Sequence, residues 1–131
     1  MQKWQWINKQ LLVMLHDESL LLHGGASGIR DEGLLDSALN RAVNLALYSE
    51  PDFADLAAAY TIGLAKNHAF VDGNKRVAFL AVGLFLGLNG YKLTATQTDA
   101  TQTLLAVASG EIQETSFAQW IREHLINRSA M

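Results

Sequence analysis

His68-Ala69-Phe70-Val71-Asp72-Gly73-Asn74-Lys75-Arg76 places a base, a carboxylate, a glycine, an amide and two cations in nine residues, immediately before the long apolar run 77–88. Gly73 permits a tight turn, and the run after it reads as a buried helix. The polar groups therefore fall at that helix's N-terminus. There the unpaired backbone N–H groups and the positive end of the helix dipole favour an anion, phosphate above all. Cations in a first turn oppose the dipole by about 0.3–1 kcal/mol each. Two in succession, Lys75 and Arg76, make more sense if an anion binds.

Outward from this stretch the dominant period is helical. The helix from Asn74 to Asn89 is apolar nearly all round, which in a soluble protein marks the centre of a bundle, and Gly90 closes it. Before it, a helix from Asp52 or Asp55 to Asn67 turns Leu56, Ala59, Tyr60, Gly63 and Leu64 inward. Ile7, Leu11, Met14, Leu15, Leu21 and Leu22 mark a first amphipathic helix ended by Gly24-Gly25. Asp31 caps a second, with Leu34, Leu35, Ala38 and Leu39 on one face. The weakly patterned segment 41–54 has room for a short extended flap. Beyond Gly90, Thr96 or Thr98 caps a fifth helix ended by Gly110, and Thr115 or Ser116 caps a sixth with Phe117, Trp120, Ile121 and Leu125. No repeat and no further strand alternation is visible. The expected architecture is all-α, a single domain over residues 1–131 built around a central hydrophobic helix.

Composition narrows the chemistry. The 131 residues match one ordinary domain, half are hydrophobic, and the only proline is Pro51. Cysteine is absent, which excludes disulfides, thiolate catalysis and cysteine-ligated metals. Net charge is −3 with dispersed basic residues, so direct nucleic-acid binding is not expected. The start, Met1-Gln2-Lys3-Trp4-Gln5-Trp6, lacks the apolar core of a signal peptide, and 77–88 is too short to span a membrane. A soluble, cytoplasmic protein is expected. Trp4 and Trp6 fit either core packing or an exposed patch.

The quoted loop resembles the active-site loop of the Fic/Doc superfamily, and more specifically of its Doc (death-on-curing) branch. The Fic pattern reads His-Pro-Phe-x-x-Gly-Asn-Gly-Arg-x-x-Arg. Here Ala69 replaces the proline, Lys75 the second glycine, and Phe79 stands where the second arginine would be. Those departures count against nucleotidyl transfer. A second stretch, His23-Gly24-Gly25-Ala26-Ser27-Gly28-Ile29-Arg30-Asp31-Glu32-Gly33-Leu34-Leu35-Asp36-Ser37-Ala38-Leu39, is similar to the N-terminal signature of Doc proteins.

The resemblance implies a helical Fic/Doc fold and the toxin of a type II toxin–antitoxin system. It implies a protein kinase that moves the γ-phosphate of ATP to a hydroxyl of a translation factor, with elongation factor Tu as the family's target, and so arrests translation. It also implies an inverted nucleotide placement, terminal phosphate foremost. Many Fic proteins carry an inhibitory Ser/Thr-x-x-x-Glu-Gly/Asn segment. Here the only such pair, Glu32-Gly33, has Gly28 four residues before the glutamate. Restraint must then come from outside, from a Phd-like antitoxin whose C-terminal segment folds into a groove.

The residues support phosphoryl transfer on their own chemistry, which needs a positioned hydroxyl, a metal and cations to absorb charge. His68 can serve as a general base for the attacking hydroxyl. Asp72 supplies an oxygen ligand for Mg²⁺. Gly73, Asn74 and the free N–H groups hold phosphate oxygens, Arg76 offers a bidentate fork and Lys75 a mobile charge. Two alternatives stand beside a kinase: a Fic-type nucleotidyl transferase (AMPylator), and a non-catalytic module for a phosphorylated or acidic peptide.

Plainer readings also apply. His16, His23 and His124 read as hydrogen-bonded structural histidines, Asp72 or Asn74 as the cap of its helix, and Phe70 as a core anchor. Gly24, Gly25 and Gly28 read as a helix stop and tight loop, with no preceding strand and no P-loop Lys-Ser/Thr.

Overall fold

Asn8, Asp31, Asp52 and Thr96 each accept a hydrogen bond from the backbone N–H three residues ahead, and a helix begins after each. The computed structural model describes residues 4–127. These caps open α1 (Lys9–His23), α2 (Glu32–Tyr48), α3 (Phe53–Asn67) and α5 (Gln97–Ser109), while α4 (Asn74–Leu88) and α6 (Glu114–Glu123) start without a side-chain cap. Asp52 and Asp55 form a reciprocal capping box at α3. Two short strands, β1 (Tyr91–Leu93) and β2 (Leu125–Asn127), pair antiparallel with Lys92 opposite Ile126. The fold is mainly helical, as expected, and residues 1–3 of the N-terminal stretch read as lacking a signal-peptide core lie outside the described residues.

The core is built on α3 and α4. Ten of the fifteen residues of α3 are buried, many of them alanines, so α2 and α4 approach it closely on both sides. Six of fifteen are buried in α4, among them Val77, Phe85 and Leu86. Although apolar nearly all round, α4 leaves Phe79, Leu80 and Leu84 partly open.

Gly63 is where α2 meets α3: a Cβ there would lie 3.0 Å from Ala38 Cα and 3.1 Å from its carbonyl oxygen. Backbone cannot swing aside as a side chain does. Gly63→Val is therefore expected to cost about 2–3 kcal/mol by overpacking. At Gly83 an added Cβ meets nothing within 4 Å, so Gly83→Ala should gain up to roughly 1 kcal/mol of helix propensity. Urea unfolding of the two variants checks both signs.

Four expectations are corrected. The segment 41–54 forms no extended flap, because Leu35, Ala38 and Ala42, with Leu39, Leu45 and Ala46 packed beside them, continue the apolar stripe of α2 to Tyr48. A weak pattern of small residues concealed it. The strands were not foreseen, since three-residue segments carry too little alternation to register. Leu125 belongs to β2 rather than to the sixth helix. That helix starts at Glu114, ahead of Thr115 and Ser116, with Gln113 at its N-cap position.

Trp4 and Trp6 pack on the core. Trp4 meets Phe53 edge-on at 4.6 Å and Trp6 stacks on Phe85 at 6.3 Å. The Ile7 N–H donates to the Tyr60 hydroxyl at 3.1 Å, and Asn89 exchanges two hydrogen bonds with the backbone of Gln5. No described helix is long and apolar enough to cross a membrane.

Arg122 joins α6 to α3. Its guanidinium donates to both Asp52 carboxylate oxygens, at 2.7 and 3.0 Å, and to Asp55 at 3.2 Å. The hydrogen bonds from Arg122 hold the Asp52 carboxyl below the usual carboxylate range. A depressed folded pKa gives stability that is present above the unfolded value, about 3.9. It is lost as pH falls through the lower, folded value. The pair is partly exposed, so Arg122→Ala should lower stability at neutral pH by no more than about 1 kcal/mol. The gap from wild type should close in acid. Urea midpoints at neutral and acid pH test this, and a gap that persists in acid would contradict it.

Candidate active site

The end of α3 sets the position of His68. His68 occupies the C-cap in the left-handed region, φ 51° and ψ 46°, and is the one non-glycine residue with positive φ among those described. Arg30 Nε donates to the His68 carbonyl at 2.7 Å, and Nη2 to the Asn67 carbonyl at 3.3 Å. These carbonyls lack intrahelical partners and lie at the negative end of the dipole, where a cation is favoured. The imidazole itself is exposed.

Residues 69–71 then run antiparallel to 28–31. Ile29 and Phe70 form a β-bridge, Arg30 and Asp31 N–H both donate to the Ala69 carbonyl, and Val71 N–H donates to Gly28. The two family-like stretches, 23–39 and 68–76, are thus laid against each other. Asn74 closes the loop from its other end. Its Oδ1 accepts from Phe70 N–H and its amide donates to the Phe70 carbonyl, both at 3.0 Å. One amide hydrogen of Asn74 is left for another acceptor.

Asp72 is held by backbone rather than acting as a cap. Oδ1 accepts from Gly73 N–H at 2.8 Å, and Oδ2 from Ala26 N–H at 3.3 Å. The N-cap of α4 is Gly73, at φ 75°, with no side-chain cap bond. This corrects the reading of Asp72 or Asn74 as that cap. The opening N–H groups of α4 therefore stay unprotected by any side-chain cap, which is the arrangement an anion requires.

His68, Asp72, Gly73, Asn74, Lys75 and Arg76 all lie on this loop and the first turn of α4. Lys75 is exposed, and Arg76 is half-buried with Nη1 3.4 Å from the Gly24 carbonyl. Both line a cavity of about 500 Å³ between α1, α4 and α5, walled by Leu15, Leu22, Phe79 and Leu104. Phe79, in place of an arginine, makes this wall apolar. Among the described residues no three His, Cys, Asp or Glu side chains converge as a metal cluster. Asp72 fits a Mg²⁺ held by one carboxylate with phosphate oxygens and water completing the shell, the usual pattern for that ion.

Some contacts around the site depend on the fold, while His16 and His124 are hydrogen-bonded within it as expected. The glycine cluster does stop α1, with Gly24 N–H bonded to Leu20, but Gly25 also gives room to Asp72: a Cβ there would lie 2.9 Å from Asp72 Oδ2. Arg30 was not singled out, although its place in the second family-like stretch was a signal. His16 is buried, stacked on Phe70 at 3.9 Å, and its Nε2 donates to the Asp72 carbonyl at 2.7 Å. His124 is structural, stacking on Trp120 and bonded to its carbonyl. His23 is exposed on the cavity wall and, among the described residues, makes no side-chain hydrogen bond, unlike the structural reading of it.

A helical fold with this His-x-Phe-x-x-Gly-Asn loop opening a buried helix defines a class. Residues 6–86 match the Fic/DOC family, and the chain belongs to that family. Two similar proteins carry the Doc name. One is "Protein kinase doc" of Escherichia phage P1, 33% identical over 117 residues that cover 88% of this chain and 92% of the phage protein. Another is "Toxin Doc" of Mycolicibacterium smegmatis, 47% identical over 74 residues, 55% of this chain and 57% of that protein.

Proposed function

We propose that this chain is a Doc-type toxin: a cytoplasmic protein kinase that transfers the γ-phosphate of ATP to a hydroxyl of a translation factor, elongation factor Tu. The observation that carries this reading is the uncapped start of α4, set directly beside a base, a carboxylate and two cations. A relative of similar length named as a protein kinase supports it.

In this mechanism His68 accepts the proton of the attacking hydroxyl, as a neutral imidazole can. The hydroxyl oxygen bonds to the γ-phosphorus and the bond to the bridging oxygen of ADP breaks. The N–H groups of α4 and the remaining amide hydrogen of Asn74 hold phosphate oxygens. Lys75 and Arg76 offset the charge spread over the transferred group. Asp72 would hold Mg²⁺, which neutralises phosphate charge. Lys75, occupying space that a glycine leaves open in the Fic pattern, favours presentation of the terminal phosphate.

Control falls to a separate Phd-like antitoxin. The cavity between α1, α4 and α5 ends at Lys75 and Arg76, and Leu22 and Leu105 along it are exposed. An amphipathic segment seated there would bury these leucines and cover both cations.

Intact-mass analysis of elongation factor Tu incubated with the protein, Mg²⁺ and ATP tests the activity. A gain of one phosphoryl group, absent with His68→Ala, is the expected result. A gain of AMP would move the chain to nucleotidyl transfer. No modification, beside an active Doc control, would remove elongation factor Tu as the substrate.

A further inference from the structure

A fully buried histidine underlies the reactive loop, and no step of the proposed reaction uses it. His16 lies on the inward face of α1 between Leu12 and Leu20 and is 1% exposed. Burying an imidazole in an apolar setting is unfavourable unless it is hydrogen-bonded. Nδ1 has no hydrogen-bond partner among the described residues, and the nearest carboxylate, Asp17, is 3.8 Å away. The bond from Nε2–H to the Asp72 carbonyl is thus the one polar reward for placing this residue type here. A leucine would fill the core without that burden.

The geometry around the bond is confined on every side. The ring lies flat on Phe70, two residues before Asp72. A Cβ on Gly73 would come 3.3 Å from Nε2, so a side chain at that position would crowd the ring. The Asp72 carbonyl and the Gly73 N–H belong to one rigid peptide plane. Fixing that carbonyl from below therefore fixes the N–H that holds Asp72 Oδ1 from above. Ala26, in the loop that ends α1, holds the other oxygen.

We infer that His16 is a positioning residue: by anchoring the 72–73 peptide plane from inside the core, it sets the direction of the Asp72 carboxylate. The inference rests on the reading of Asp72 as the Mg²⁺ ligand, but its structural part can be read separately.

The test compares His16→Leu, which keeps an apolar filler and removes the donor, with His16→Gln, whose amide nitrogen reaches the place of Nε2. Two quantities are measured on the full chain. The Gly73 and Ala26 amide resonances report on the two hydrogen bonds to the Asp72 carboxylate. The Mg²⁺ concentration for half-maximal phosphoryl transfer reports on its use as a ligand. In His16→Leu both amide resonances should move toward unbonded positions, and the Mg²⁺ requirement should rise roughly 10- to 100-fold, as when a partner that orients a metal ligand is lost. His16→Gln should restore both. Wild-type resonances and Mg²⁺ dependence in His16→Leu would overturn the inference, as would a glutamine variant as defective as leucine.

If His16→Leu does not fold, His16→Asn takes its place. Its amide is one methylene short of the carbonyl, and equal loop resonances in the asparagine and glutamine variants would overturn the inference. Absence of phosphoryl transfer by the wild type, with the resonances responding as described, would instead overturn the kinase reading and leave the anchoring of the peptide plane established.

Discussion

His68→Ala is expected to lower phosphoryl transfer by roughly 10²- to 10⁴-fold, the usual contribution of a positioned general base, while leaving the fold in place. The imidazole is exposed and its backbone carbonyl, not its ring, receives Arg30. Alanine is less at ease than histidine in the left-handed region, a penalty of about 1–2 kcal/mol at most. His68→Asn separates the two effects, because asparagine tolerates that conformation and cannot act as a base. Both variants should be inactive, and the asparagine variant should match wild type in urea unfolding. Residual activity in both within a few-fold of wild type would remove His68 from the chemistry.

The same residue illustrates what could be read from sequence. Periodicity placed the helices near their observed positions, though α2 runs on to Tyr48, and Asp31, Asp52 and Thr96 were legible as helix starts because a cap acts within one turn of chain. The nine-residue loop was legible as a unit for a similar reason: its groups are adjacent in the chain and the apolar run behind them announces the helix. Interactions that depend on distant segments left no local trace. Arg30 reaches His68 across 38 residues and His16 reaches Asp72 across 56. On an amphipathic helix a single inward histidine looks like any core position, and nothing in its neighbours tells which carbonyl it will meet. The glycines of residues 24–28 were visible as a helix stop, but the demand for a missing side chain at Gly25 comes from Asp72, which only the fold brings near.

That demand gives the second large effect. Gly25→Ala should both destabilise the protein and impair transfer, whereas Gly24→Ala should only destabilise it. Each glycine has a positive φ, +122° and +81°, so an alanine at either site carries backbone strain of about 1–3 kcal/mol. At Gly24 the added methyl meets nothing within 4 Å; at Gly25 it lies 2.9 Å from both Asp72 Oδ2 and Leu20 Cδ2. Leu20 is itself buried whereas Asp72 is exposed, so the carboxylate is the group with freedom to move. A displacement near 1 Å at a reacting group can cost on the order of 10²-fold in rate. The two variants, brought to equal fractions folded and compared for transfer rate, separate strain from displacement. A loss in Gly25→Ala alone would tie catalysis to the direction of the Asp72 carboxylate. Equal rates would mean that the loop absorbs the methyl group and that the glycine at 25 serves the turn rather than the site.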